Sequence, residues 1–247
     1  MDQIKILSGE IAYFMCRLYK CGLTTTSGGN ISVRCGDKVL ITPSATDKGR
    51  MTADQIGILD MDCNIAGKKF KPTIESRMHI EIYKRRPDVQ AVVHAHPVYG
   101  SAFAASKRRI SNKYLAEALV VLGEIAYAPY ACMGSNELAQ VVGDAAENAD
   151  CIVMQNHGII ALGNNLLQAF DRLEVLENAA KTTFICQGPL ASDSIELSDG
   201  QAQELKDKFL SGKQGKRFDR VSLSSQKSVS STSIIVTILS TSKQPQG

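Results

Sequence analysis

The chain has 247 residues, room for one large domain or two small ones, and at 44% hydrophobic and 21% charged it has the composition of a soluble globular protein. A net charge of +3 is too small to argue for a nucleic-acid partner, and clusters such as Lys84-Arg85-Arg86 and Lys107-Arg108-Arg109 read as solvated faces. No apolar run approaches the roughly 20 residues that cross a bilayer, no signal peptide opens the chain, and the seven cysteines form no C-x-x-C pair, so the reading is a reduced, cytoplasmic protein without a membrane partner.

In chain order, Ile4, Leu7, Ile11, Phe14, Met15 and Leu18 recur at helical spacing, which predicts an amphipathic helix over residues 3–21 stopped by Gly22. A hydroxyl- and glycine-rich stretch, Thr24 to Asn30, then leads into a strand. Gly28 and Gly29 let backbone amides approach an anion closely, with Ser27 and Asn30 as donors, although a plain surface turn fits the same composition. Residues 31–35 and 38–44 predict paired strands about Gly36-Asp37. Thr52 opens a helical turn, and Ile56–Met61 is a short strand.

Thr73 is the expected N-cap of the next helix, with Glu75 in its first turn, where the helix dipole favours a carboxylate. Glu75 and His79 stand four apart on one helix face, and His79 reads as a packed or capping histidine. Residues 90–96 predict a strand, and Val98–Ser106 a short helix. Val120–Leu122 and Ile125–Tyr127 predict two short strands. Ser135 caps a helix with Leu138, Val141, Val142 and Ala145 inward. A strand pair over residues 151–163 carries His157 at its tight end. Leu166–Cys186 is a long helix with Phe170, Leu173, Val175, Leu176 and Phe184 on its apolar side, and Ser198–Phe209 is a last short helix. From Val221 the chain turns Ser/Thr-rich, which reads as a disordered tail over residues 221–247 behind a folded unit over 1–220.

Among these elements the stretch Val93-His94-Ala95-His96-Pro97 carries the chemistry. Strand alternation puts His94 and His96 on one side, with Cβ atoms roughly 7 Å apart. Pro97 ends the strand there. Two histidines alone also fit a solvated edge, but the chain has only four, and His157 lies at another strand end. Three imidazoles with an open fourth position suit a catalytic Zn²⁺ or another late first-row ion. Such an ion can stabilise developing negative charge as a Lewis acid. A nearby carboxylate whose pKa is raised by burial would move the proton.

Taken together, Ser27-Gly-Gly-Asn-Ile-Ser32, Ile41-Thr-Pro-Ser44, Lys71-Pro-Thr-Ile-Glu75, Val93-His-Ala-His-Pro97 and Gln155-Asn-His-Gly158 resemble the class II aldolase/adducin family over about residues 3–212, in its fuculose-phosphate aldolase branch. The resemblance implies an α/β fold with a central, mainly antiparallel sheet flanked by helices on both sides, assembled as a homotetramer with sites at subunit interfaces. It implies zinc, or manganese or cobalt in its place, one ion per subunit on His94, His96 and His157. Glu75 would be the acid–base group, Tyr114 an assisting tyrosine given to a neighbouring subunit, and Ser27, Gly29, Asn30, Ser44, Ala45 and Thr73 the phosphate site. The implied reaction cleaves a ketose 1-phosphate to dihydroxyacetone phosphate and an aldehyde. Ile74 departs from the paired hydroxyl residues common before the glutamate and removes one donor from the phosphate pocket. Other reactions of such a site are pentulose-phosphate epimerisation, where the resemblance expects aspartate at position 75, and methylthioribulose-phosphate dehydration. A non-catalytic adducin-like scaffold would lack the histidines.

Overall fold

The computed structural model describes residues 3–210. The Ser/Thr-rich tail expected from Val221 lies outside the described residues. Seven strands form one sheet in the order β3-β2-β1-β4-β7-β6-β5. These are β1 (Asn30–Cys35), β2 (Lys38–Ile41), β3 (Gly57–Asp60), β4 (Ala91–Ala95), β5 (Ile125–Ala128), β6 (Cys151–Met154) and β7 (Gly158–Gly163). Every neighbouring pair is antiparallel except β5 with β6. The helices are α1 (Gln3–Lys20), α2 (Ser76–Arg85), α3 (Val98–Ala104), α4 (Ala116–Leu122), α5 (Asn136–Ala146), α6 (Leu166–Cys186) and α7 (Asp199–Phe209).

Strand alternation splits the interior into two cores. Ile31, Val33, Val93, Ala95, Val153, Ile159 and Ala161 face one way, toward α1, α3, α4 and α6. Val92, Ile152, Met154, Ile160 and Leu162 face the other way, toward α2 and α5. The expected sheet with helices on both sides is therefore what the chain forms. His94 follows Val92 by two, so it points into the α2 side.

Local chemistry explains the element ends. Gly36 takes φ 62° in the two-residue link between β1 and β2, a conformation that favours glycine. Asn156 takes φ 55° in the β6–β7 turn, where asparagine is among the few residues that tolerate it. The Ser135 hydroxyl accepts from Leu138 N at 3.0 Å and fixes the start of α5. Ser198 and Gln201 make a reciprocal capping box at α7.

Several expectations need correction. Val120–Leu122 is the end of α4, not a strand, because Ala118, Leu119 and Leu122 bury one helical face; so short an apolar run fits either element until its packing is known. On α5, Ala139, Gly143 and Ala146 are buried with Leu138 and Val142, whereas Val141 and Ala145 are only half-buried. Phe184 on α6 is 55% exposed. Helix α2 begins at Ser76 with Glu75 as its N-cap residue and Thr73 outside it. Among the described residues no helix is long and apolar enough to cross a membrane, and all seven cysteines are unpaired.

Candidate metal centre and acid–base site

The site gathers where β1 begins, β4 ends and β7 begins. Antiparallel pairing of β4 with both neighbours brings those three points to one end of the sheet, with Asn30 opposite His94 and Ala95 opposite Ile159. His94 is fully buried at the end of β4, His96 lies two residues on, and His157 sits in the turn before β7. One ring nitrogen from each of the three lies within 4.8 Å of the others. His94 Nε2 and His96 Nε2 are 3.0 Å apart.

Glycine permits this crowding. A Cβ on Gly158 would lie 2.6 Å from both Ala95 O and His96 Cδ2. A Cβ on Gly29, whose φ is 66°, would lie 2.7 Å from His94 O.

The donor set fits a divalent metal ion. His94 Nδ1 donates to Ile159 O at 3.0 Å, which leaves Nε2 as a lone pair facing its neighbours. Among the described residues both ring nitrogens of His157 are buried without a hydrogen-bond partner, although Nε2 lies 2.7 Å from Glu75 Oε1. A buried polar atom left in this state calls for a ligand. Burial, helped by the charges of His94 and His157, pushes His96 down to about 4. Burial also lowers His94. Neutral imidazoles are the form that ligates metal.

Glu75 completes the group. Its carboxylate lies 3.4 Å from His94 Nε2 and 2.7 Å from His157 Nε2. Asn30 Nδ2 donates to Glu75 Oε2 at 2.6 Å. An N-cap carboxylate would ordinarily bond its own helix's N–H groups, but Glu75 makes no such bond and turns into the site instead. Burial pushes its carboxyl up, yet His94, His157 and Asn30 together outweigh burial and hold it below the usual carboxylate range. The expectation of a carboxyl raised by burial is thereby corrected: in this setting Glu75 rests ionised.

Residues 9–184 match the family described as Class II Aldolase and Adducin N-terminal domain. The chain belongs to the class II aldolase/adducin family. It is 40% identical over 172 residues to an L-fuculose phosphate aldolase of Methanococcus maripaludis, covering 69% of this chain and 93% of that protein. It is 33% identical over 175 residues to a 3-oxo-tetronate 4-phosphate decarboxylase of Haemophilus influenzae, covering 69% and 83%. A solved L-fuculose 1-phosphate aldolase superposes with a TM-score of 0.74 at 29% identity, covering 85% of this chain and 97% of that one.

The other positions that the aldolase resemblance singled out divide in three. Asn30 and Thr73 are drawn onto Glu75: Asn30 Nδ2 also reaches Thr73 Oγ1 at 3.2 Å, so the Asn30 amide is committed within the protein. Gly29 packs against the His94 backbone and Thr24, Ser44 N is bonded to Lys71 O with Pro43 bridged to Pro72, and Ala45 and Ser27 are exposed. Tyr114 lies half-buried ahead of α4, and among the described residues it makes no hydrogen bond to Glu75 or the three histidines.

Sequence reasoning passed over two residues here. Among the described residues Thr24 Oγ1 is buried without a hydrogen-bond partner beside Gly28 and Gly29. Lys48 is 1% exposed, its Nζ donates to Pro43 O at 2.7 Å, and its backbone N–H binds Thr26 O. Burial pulls Lys48 down to about 8, against the pull of Glu75. A lysine in an exposed-looking Asp-Lys-Gly-Arg run gave no sign of this burial.

Proposed function

We propose that the protein is a metal-dependent aldolase that cleaves a ketose 1-phosphate of the L-fuculose 1-phosphate kind to dihydroxyacetone phosphate and an aldehyde. The observation that carries this is a buried Glu75 carboxyl, 3.4 Å from His94 Nε2 and 2.7 Å from His157 Nε2, set against three convergent imidazoles. A divalent ion held by His94, His96 and His157, with zinc first and manganese or cobalt as substitutes, would supply Lewis-acid stabilisation of developing negative charge. Glu75 is placed to move the proton. In the condensation direction it takes one from the carbon beside the ketone; in the cleavage direction it returns one to that carbon after the carbon–carbon bonding pair has moved there. The relatives named as L-fuculose phosphate aldolases support this reading.

The glycine loop, Ser44, Thr73 and the unpartnered Thr24 hydroxyl would hold the phosphate away from the reacting carbons and so orient the substrate. Lys48 adds a buried positive charge beside them. Lys48→Met is therefore expected to raise KM for the phosphorylated ketose about 10–100-fold, the worth of a hydrogen bond to a charged group, with a much smaller change in kcat. Steady-state kinetics, with inorganic phosphate as a competing ligand, checks this. An unchanged KM would mean that Lys48 only braces Pro43.

We read the assembly as a homotetramer that completes the site. Val98, Tyr130, Met133 and Ile74 are 71%, 62%, 59% and 58% exposed beside the site residues, which suits an apolar rim awaiting a second chain. A second reading follows from the Haemophilus influenzae relative: decarboxylation of a 3-oxo acid phosphate, which leaves the same kind of charge beside a ketone. One experiment decides between them. The purified protein is given a panel of ketose 1-phosphates and 3-oxo-tetronate 4-phosphate, and dihydroxyacetone phosphate and carbon dioxide are both measured. Release of dihydroxyacetone phosphate supports the aldolase; carbon dioxide alone overturns it.

A further inference from the structure

Behind Glu75 runs a line of buried side chains that the reaction as described does not use. Strand β1 presents Asn30 and Ser32, two apart and therefore on one face of the sheet. That face is the one under α2. Glu75 caps α2, and His79 and Tyr83 follow at intervals of four on the side turned to the sheet. The two series interleave. Asn30 Nδ2 meets Glu75 Oε2 at 2.6 Å, Asn30 Oδ1 meets His79 Nε2 at 2.5 Å, His79 Nδ1 meets Ser32 Oγ at 2.6 Å, and Ser32 Oγ meets Tyr83 Oη at 2.8 Å. Asn30, Ser32, His79 and Tyr83 are 3%, 0%, 0% and 1% exposed, so water does not compete for any of these bonds.

The Asn30 amide sets the direction of every proton in the line. Its Nδ2 donates to both Glu75 Oε2 and Thr73 Oγ1, so its carbonyl is the atom turned to His79. That carbonyl accepts only from an N–H, so His79 carries its proton on Nε2 and a lone pair on Nδ1. The Ser32 hydroxyl must then donate to Nδ1, and its oxygen is left to accept from Tyr83. Burial holds His79 neutral, at about 3, and keeps the Tyr83 phenol protonated. A neutral ring with one proton is what the line requires.

We propose that His79, backed by Ser32 and Tyr83, is a positioning residue for the acid–base step: it fixes the Asn30 amide, which in turn holds the Glu75 carboxylate in its proton-accepting placement. This rests on Glu75 being the acid–base group of the proposed reaction. The role belongs to the Nε2–H of His79, not to the bulk of the ring, and that gives an asymmetric test. Glutamine puts its amide near the Nε2 position and can still donate to Asn30. The shorter asparagine reaches only the Nδ1 position.

In the full-length protein, His79→Gln is expected to keep kcat within about threefold, whereas His79→Asn loses about 10–100-fold in kcat with KM and metal content unchanged, the usual cost of removing an orienting partner. Histidine ¹⁵N spectra of the wild-type protein are expected to show His79 as the Nε2–H tautomer. Equal kcat in the two variants, a kcat loss that follows metal loss, or an Nδ1–H tautomer overturns the proposal. Should neither histidine variant fold, the wild-type spectra decide alone: the Nε2–H tautomer supports the proposal, and an Nδ1–H or mixed tautomer overturns it. A wild-type protein that turns over none of the sugar phosphates defeats the aldolase reading instead, and the spectra still decide the relay.

Discussion

Glu75→Gln is expected to lower kcat by about 10²–10⁴-fold, the usual worth of a positioned acid–base group, while metal content stays at the wild-type level. Three roles for this residue make different forecasts. Were it a helix-dipole partner, its loss would cost about 0.3–1 kcal/mol of stability with normal turnover. The structure argues against that role, since Glu75 makes no side-chain bond to α2 and faces His94 and His157 instead. Were it chiefly a ligand, metal occupancy would fall in step with activity. As the proton carrier, it leaves binding intact in the Gln variant and stops exchange of the dihydroxyacetone phosphate C–H proton with solvent. Metal analysis, kcat and solvent exchange measured on one preparation separate the three. Near-normal exchange in the variant would refute the assignment.

Stripping the metal is expected to abolish turnover and leave the fold standing. The three histidines sit at the rim of a sheet whose two cores are built without them. A site of this kind, with three protein ligands and an open position, does not staple the chain as a closed structural site does. Protein purified without chelator should therefore hold close to one zinc, manganese or cobalt ion per chain. After chelation the far-ultraviolet dichroism should persist while activity vanishes, and adding the metal back should restore it. His157→Ala is expected to lose most of the metal, because both ring nitrogens of His157 are buried without a hydrogen-bond partner among the described residues. Sustained turnover by fully metal-free enzyme would sink the proposed mechanism.

Much of this site was legible in the sequence because its chemistry sits at strand ends. Strand alternation alone placed His94 and His96 on one side, and the Gln155-Asn156-His157-Gly158 turn announced a third imidazole at a hairpin. The sheet with helices on both faces followed from the family's motifs. What the sequence withheld was set by packing across the fold. The four-residue spacing put Glu75 and His79 on one face, but nothing local says that Asn30, 49 residues from His79, lies between them. The burial of Lys48 depends on loops that meet only after the sheet forms. Val120–Leu122 was misread for the same reason: a helix and a strand compete on equal terms in so short a run, and the packed face decides.

The meeting of three distant strand ends also bears on the order of events during folding. His94 is tied to Ile159 across 65 positions of chain, and Asn30 to Glu75 across 45. Closing such spans is slow compared with forming a hairpin such as β1–β2. A nascent chain offers an ion only a histidine pair until β7 docks beside β4, so tight metal capture must follow sheet assembly and cannot seed it. Dilution from denaturant into buffer containing a metal indicator should then show uptake lagging behind the recovery of secondary structure.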